Sequence, residues 1–141
     1  MSNAKLFGIF CDDIRQEISG KVSLIGCYSS VMYTFEMPTK LPKLCVHFEL
    51  QVDNSHKGKS AEIAVSHDGL VAGSVTIAID PNLEADESGT ISVNGGFELP
   101  FMEVSEPGKL SLYANIGDET LSGPTLGVQL HKEHQTGTAT F

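Results

Sequence analysis

The sequence FGIFCDDIRQEISGKVSLIGCY, from Phe7 to Tyr28, combines two apolar runs with a dense group of charges. The first run ends at Asp12, the second begins at Val22, and a Ser-Gly pair between them is typical of a turn. Because both runs have apolar residues at odd and even positions, we expect two strands that are covered on both faces and central in a sheet. Alternatively, Ile14 to Ser19 forms one helical turn.

The clearest strand of the sequence follows a proline-rich segment and covers residues 44–53. Its apolar side chains recur at every second position for ten residues, as on a strand with one buried face. The inward set is Leu44, Val46, Phe48, Leu50 and Val52, and the alternating set is Cys45, His47, Glu49, Gln51 and Asp53.

Turn signals divide the rest of the chain into further short strands. Asp68-Gly69 separates two alternating segments and predicts a tight hairpin, Gly95-Gly96 predicts a bend or bulge, and a loop is expected from Gly117 to Pro124. No long segment shows a helical period. We therefore expect an all-β fold of about eight strands in two packed antiparallel sheets, an immunoglobulin-like sandwich, with residues 1–141 as one domain.

Two segments carry a resemblance to a known family. The opening CDDIRQEISGKVSLIGCY (residues 11–28) and the later KLPKLCVHFEL (residues 40–50) resemble an uncharacterised bacterial family of small proteins, whose signature is a Cys-Asp-Asp group, a Gly-Lys turn and a Leu-Ile-Gly-x-Tyr strand. The resemblance covers essentially the whole chain and implies no activity, ligand or catalytic residue. The closing EPGKLSLYANIGDETL (residues 106–121) resembles the final strand pair of immunoglobulin-like modules, which concerns the fold alone.

The charges are distributed unevenly along the chain. The net charge is −9, and residues 61–141 hold two basic against twelve acidic residues. Such acidity repels phosphate backbones, so we expect no nucleic-acid binding and instead a protein partner with basic groups. The acidic surface is predicted to have no basic neighbours, with Lys109 and Lys132 the only cations of the second half; its members are Glu84, Asp86, Glu87, Glu103, Glu106, Asp118 and Glu119.

The three cysteines, Cys11, Cys27 and Cys45, lie in apolar segments and form no CxxC pair. This pattern is typical of reduced thiols in a protein core. No apolar run approaches the roughly 20 residues that span a bilayer, and no signal peptide is recognised, so we expect a cytoplasmic protein without membrane contact.

One group of acids could hold a divalent metal ion or perform acid/base chemistry. Asp12, Asp13 and Glu17 follow the end of the first apolar run, with Arg15 between them. The competing interpretation is that these acids keep a strand end soluble, with Arg15 or Lys21 compensating one of them. The sequence alone leaves both open.

Catalytic and metal-binding motifs are otherwise absent from the sequence. There is no GxSxG, GxGxxG, Walker or HExxH pattern, and the five histidines are predicted to be exposed: His47, His56, His67, His131 and His134. No cofactor is predicted. The sequence favours a non-enzymatic protein-binding or assembly module, with a metal-dependent ligand-binding or hydrolytic domain using Asp12, Asp13 and Glu17, or a phage-derived structural component, as alternatives.

Overall fold

The computed structural model describes residues 3–131, which form eleven strands and two single turns of 3₁₀ helix at Ile18–Gly20 and Asn54–His56. The strands are β1 Lys5–Gln16, β2 Val22–Cys27, β3 Val31–Thr34, β4 Thr39–Lys40, β5 Leu44–Val52, β6 Ser60–His67, β7 Leu70–Ala78, β8 Ile91–Leu99, β9 Glu103–Val104, β10 Gly108–Ile116 and β11 Glu119–Leu130. The all-β prediction is confirmed, with eleven strands where about eight were expected.

Two sheets contain nine of these strands. The four-stranded sheet has the order β2-β1-β5-β8, and the five-stranded sheet has the order β3-β11-β10-β6-β7. Strands β4 and β9 form a separate two-stranded pair. Only the β3–β11 pair of residues 31–34 and 127–130 is parallel among the described pairs, so the prediction of purely antiparallel sheets is wrong at that edge.

The core lies between the two sheets and is centred on β5. All five inward side chains predicted from the alternation are buried, and Phe48 is 1% exposed. A Cβ atom placed on Gly95, directly opposite on β8, would come within 2.7 Å of Phe48 Cζ. The absence of a side chain at Gly95 therefore leaves room for the Phe48 ring to pack over the neighbouring strand.

Of the bend or bulge predicted at Gly95-Gly96, the bulge is wrong. Strand β8 pairs with β5 in one unbroken register from Ile91 to Leu99. Instead, the two glycines allow other side chains to come close to the backbone of β8. Gly95 lies against the Phe48 ring, and Gly96 lies against Ile14 Cδ1, which would be 2.7 Å from a Cβ added at Gly96.

The tight hairpin at Asp68-Gly69 is confirmed. His67 and Leu70 are the last paired residues, and the two residues between them have φ values of +50° and +85°. Both central positions of a type I′ turn need positive φ, which Asp and Gly tolerate better than most residues.

The opening stretch forms the expected strand pair, but its position differs from the prediction for one strand. Strand β1 is central, between β2 and β5, whereas β2 is an edge strand with most of its side chains exposed. The helical alternative for Ile14 to Ser19 is wrong, because β1 continues to Gln16 and the 3₁₀ turn begins only at Ile18.

The loop expected from Gly117 to Pro124 is replaced by a strand. A two-residue turn leads directly into β11, which is paired from Glu119 onward. The register shifts between Ser111 and Tyr113 of β10, opposite Gly123 and Pro124, so the proline, which has no backbone N–H, lies at an irregularity where that donor is not needed.

Strand β7 forms one edge of the five-stranded sheet and carries no charged residue. Its first residues, Leu70 and Val71, are 76% and 61% exposed. The pairing with β6 shifts between Val65 and Ser66, which leaves Ala72 without an opposite residue. Edge strand β7 therefore contains a bulge close to its exposed apolar end.

We predict that Gly95→Ala destabilises the protein by about 1–3 kcal/mol, because the added methyl group overlaps the Phe48 ring. Phe48→Ala alone should cost about 3–5 kcal/mol, and Glu49→Ala, on the opposite face, about 0.5 kcal/mol or less. Urea unfolding measures each free energy.

The double variant tests the cause of the Gly95→Ala effect. In the Phe48→Ala background the ring is gone, so Gly95→Ala should lower the free energy of unfolding much less than it does in the native protein. Such a departure from additivity is expected of residues in contact. Fully additive costs would show that the effect of Gly95→Ala comes from the backbone and not from the ring.

Candidate functional site

The face of the four-stranded sheet that points away from the core is partly apolar, and we call it the outer face. Phe7 and Ile9 of β1 are 50% and 43% exposed on it. His47 of β5 lies directly opposite Ile9 on one side and Gly96 of β8 on the other, so all four residues share this face. An outward sheet face usually carries polar side chains, which makes these two apolar residues the unusual feature.

A groove crosses the outer face where the hairpin of β1 and β2 reaches toward β8. It has a volume of about 490 Å³ and is bordered by Ile14 and Val22 of the hairpin and by Cys45, His47 and Gly96 of the sheet. A second depression of about 560 Å³ lies beside Phe7, Ile9 and Glu49, and it also includes His47. The two depressions therefore meet at His47, which is half-buried.

One lysine joins two carboxylates at the rim of the groove. Lys43 Nζ donates to Asp13 Oδ1 at 2.8 Å and lies 3.4 Å from Glu98 Oε1, while Arg15 Nε is 3.9 Å from Asp13 Oδ2. The hydrogen bond from Lys43 lowers the pKa of Asp13, and the bond to Asp13 raises the pKa of Lys43. Asp13 is thus held ionised by the ammonium group of Lys43.

Asp12 has a different set of neighbours from Asp13. Its Oδ1 accepts a hydrogen bond of 2.8 Å from the Tyr28 hydroxyl, and its carboxylate fills the space that a side chain on Gly26 would take. Burial, followed by the bond to Asp12, raises the pKa of Tyr28 to about 12. The contact connects β1 to the residue just after β2 and leaves Tyr28 protonated at physiological pH.

The three predicted metal ligands therefore have separate surroundings. Asp12 lies against Tyr28, Asp13 against Lys43, and the exposed Glu17 precedes the 3₁₀ turn. Within residues 3–131, no three His, Cys, Asp or Glu side chains are grouped so that they could hold a metal ion. The interpretation of these acids as ion-paired and solubilising groups describes Asp13 directly, and metal binding stays a prediction.

The acids of the second half do not form one surface. Ile91 pairs with Val52, and Ile116 pairs with Ala61, so residues 80–90 and 117–119 lie at the same end of the sandwich as residues 53–59. Glu103 and Glu106 precede β10 at the other end.

The prediction that these acids have no basic neighbours is wrong in the described part of the chain. Glu103 lies directly opposite Lys40 on the β4–β9 pair, and the backbone of Lys59 is bonded to that of Ile79, next to the acidic loop. Hairpin pairing brings cations of the first half to acids of the second, which a count along the chain does not reveal. Lys132 lies outside the described residues.

One histidine that was predicted to be exposed is buried. His56 is 1% exposed, its Nδ1 accepts from the Asp53 backbone N–H at 3.2 Å, and its Nε2 lies 3.1 Å from Glu119 Oε1. Nδ1 also lies 3.1 Å from Asp53 Oδ1, so both ring nitrogens are next to carboxylates. His56 thereby connects the β5–β6 loop to the start of β11. The sequence feature that could have indicated a buried His56 is its place in the segment Asp53-Asn54-Ser55-His56, which fits a capping box. His134 lies outside the described residues.

These features define a two-layered all-β protein with a partly apolar, grooved outer face. Residues 6–129 match the model of a family described as Family of unknown function (DUF6941), and the chain belongs to that family. No curated protein matches the chain. Across residues 3–131 no helix has the length and apolar character required to cross a membrane.

Titration calorimetry with Ca²⁺, Mg²⁺ and Mn²⁺ tests the metal prediction. If the acids bind a metal ion, saturable heat should appear and should be lost in Asp12→Asn, because carboxylate oxygens are the ligands these ions require. Asp118→Asn, at a distant turn, is the matched control. Absence of saturable heat with all three ions would exclude the predicted site.

A second prediction concerns Asp13. Because its pKa is lowered, ionised Asp13 stabilises the fold at pH values above the usual pKa of 3.8. This contribution is lost as the pH falls through the lowered pKa. Lys43→Met removes the hydrogen bond responsible, so the variant should be less stable than the native protein near neutral pH, and the difference should shrink in acid. Urea unfolding over a pH series measures it.

The control for this experiment is Lys109→Met, which removes an exposed lysine from another strand. Its effect on stability should not vary with pH in the range where Asp13 titrates. A Lys43→Met effect that is equally constant would contradict the assigned ion pair.

Proposed function

We propose that the protein is a non-enzymatic binding module whose outer face docks a partner protein presenting apolar side chains flanked by lysine or arginine. The observation that supports this proposal is the half-exposed Phe7–Ile9 pair beside a groove on an otherwise regular sheet. Contiguous apolar surface bordered by polar residues is characteristic of interaction sites. Aromatic residues are also enriched among the side chains that contribute most to protein binding.

Charge favours a basic partner. Glu49 lies beside Phe7 and Ile9, and Asp13 and Glu98 line the groove together with Lys43. The whole chain carries a net charge of −9. A partner with basic groups would be steered toward this surface and would associate more slowly as salt is added. The acidic loops at the ends of the sandwich would add to the long-range attraction without forming the contact.

The immunoglobulin-like topology predicted from the sequence is also part of this proposal. In the strand nomenclature of that fold, β11, β10, β6 and β7 would correspond to G, F, C and C′, and β1, β5 and β8 to A, B and E. The hairpin strand β2 would be an addition at the edge. An experimental structure with the same strand order would support the assignment, and a different order would reject it.

The proposed binding site is tested with partners that are recovered from cell extract on the tagged chain. Association with each identified partner is then measured by surface plasmon resonance for the native chain and for Phe7→Ala. Loss of a central aromatic contact should weaken binding by about 2 kcal/mol, roughly thirtyfold in Kd. Glu49→Gln should lower the association rate and its salt dependence while leaving the dissociation rate nearly unchanged.

The matched control is Leu70→Ala, which truncates a more exposed apolar side chain on the other sheet, 76% exposed against 50% for Phe7. It should leave the affinity unchanged. A partner that binds Phe7→Ala as tightly as the native chain would reject the outer face as the site. Light scattering that shows the chain to pair only with itself would favour an assembly module over one that binds a different protein.

A further inference from the structure

The three cysteines, scattered in the sequence, lie in one row across the four-stranded sheet. Cys11 of β1 is directly opposite Cys27 of β2 on one side and Cys45 of β5 on the other. All three are free thiols; Cys11 and Cys45 are buried, and Cys27 is exposed on the edge strand. The prediction of unpaired thiols is confirmed, whereas the prediction of a core position is wrong for Cys27, because β2 is not covered.

The two cross-strand pairs differ in their geometry. The Tyr28 backbone N–H donates to the Phe10 carbonyl at 2.9 Å, one position along from the Cys11–Cys27 pair. Hydrogen-bonded and non-hydrogen-bonded pairs alternate along an antiparallel ladder, so Cys11–Cys27 is a non-hydrogen-bonded pair. Cys11 then directs its backbone groups toward β5, and Cys11–Cys45 is a hydrogen-bonded pair.

This difference decides which pair can be bridged. Non-hydrogen-bonded pairs have Cα atoms about 4.5 Å apart with their side chains close together, whereas hydrogen-bonded pairs are about 5.5 Å apart. A disulfide requires Cβ atoms about 3.5–4.5 Å apart. Directly opposite residues have Cβ atoms about 4.5–5.5 Å apart, and the shorter distances belong to non-hydrogen-bonded pairs, so a pair of the Cys11–Cys27 type reaches the upper limit of that requirement and a pair of the Cys11–Cys45 type exceeds it. In addition, Cys45 Sγ is engaged with the Asp12 carbonyl at 3.8 Å.

We propose that Cys11 and Cys27 are a reversible oxidation site that forms a cross-strand disulfide with low-molecular-weight disulfides such as oxidised glutathione. Exposure makes Cys27 the thiol that reacts first, and the buried Cys11 beside it completes the bridge. Burial, followed by the neighbouring Cys45 and Cys27, raises the pKa of Cys11 to about 11, which agrees with a thiol that acts second and slowly.

The reaction balances with oxidised glutathione as the oxidant. The Cys27 thiolate attacks one glutathione sulfur, which forms a mixed disulfide and releases the other glutathione as a thiolate that takes up a proton. The Cys11 thiol then loses its proton to solvent and attacks the Cys27 sulfur, which releases the second glutathione. Two protein thiols are oxidised to one disulfide, and one glutathione disulfide is reduced to two thiols.

Reversibility follows from the position of the bond. The Cα separation of a non-hydrogen-bonded pair is at the short end of the range that disulfides adopt, and departures from the preferred geometry make the bond easier to reduce. Its Cys27 sulfur also lies at an exposed edge, where a reducing thiol can reach it. Strained or exposed disulfides are the labile ones. Formation of the bond does not require a partner on the outer face.

The experiment begins with the full chain, folded and fully reduced, incubated with oxidised glutathione. The remaining thiols are then blocked with an alkylating agent, and the protein is digested and analysed by mass spectrometry. The expected product is a peptide linked through Cys11 and Cys27 that disappears after dithiothreitol. A lasting glutathione adduct on Cys27 with Cys11 free, or a bridge from Cys11 to Cys45, would overturn the proposal.

Two variants separate the role of each thiol. Cys45→Ser should form the same bridge as the native chain, whereas Cys27→Ser should form none and should leave Cys11 unmodified. Since Cys27 is exposed, Cys27→Ser should keep the native melting temperature, which shows that the loss of the bridge is not a loss of folding. A bridge that depends on Cys45 would overturn the assignment.

Discussion

The contact between the Phe48 ring and the bare backbone of Gly95 is the constraint on which the arrangement of the four-stranded sheet depends. Gly95 leaves the space that the ring occupies over β8, and β5 and β8 stay paired without interruption along their whole length. Strand β1 pairs with the opposite side of β5, so the outer face receives residues from all three strands in one register. The groove lies on the face that this register defines, and the cysteine row depends in addition on the pairing of β2 with β1.

Much of the fold follows from local sequence signals. The alternation in residues 44–53 and the Asp68-Gly69 turn are each decided by nearest neighbours on a strand or by backbone conformation, which sequence reports well. The position of β2 could not be predicted in the same way. Apolar residues on both faces of a strand indicate cover on both sides, but here they lie on an edge strand whose outer side is exposed.

The remaining errors share a physical cause, which is that pairing between distant segments is not visible in local composition. Strand β11 accommodates Pro124 at a register shift, so a segment whose composition is typical of a loop stays paired with β10. Lys40 lies opposite Glu103 because β4 pairs with β9, although the two residues are far apart in the chain. The cysteine row likewise exists only once three strands are aligned. Of the candidate site, the sequence identified Asp12 and Asp13 but not the apolar pair or the groove beside them.

The bulge at Ala72 bears on how this chain behaves in a crowded solution. An uncharged, exposed strand at the end of a sheet offers unpaired backbone groups to any similar strand that meets it, and such encounters can grow into fibrils. The extra residue increases the local twist of β7. A strand of a second chain that pairs with β7 therefore loses its hydrogen-bond register at the bulge. The irregularity at Ala72 thus limits uncontrolled association along a strand that has no lysine or proline of its own.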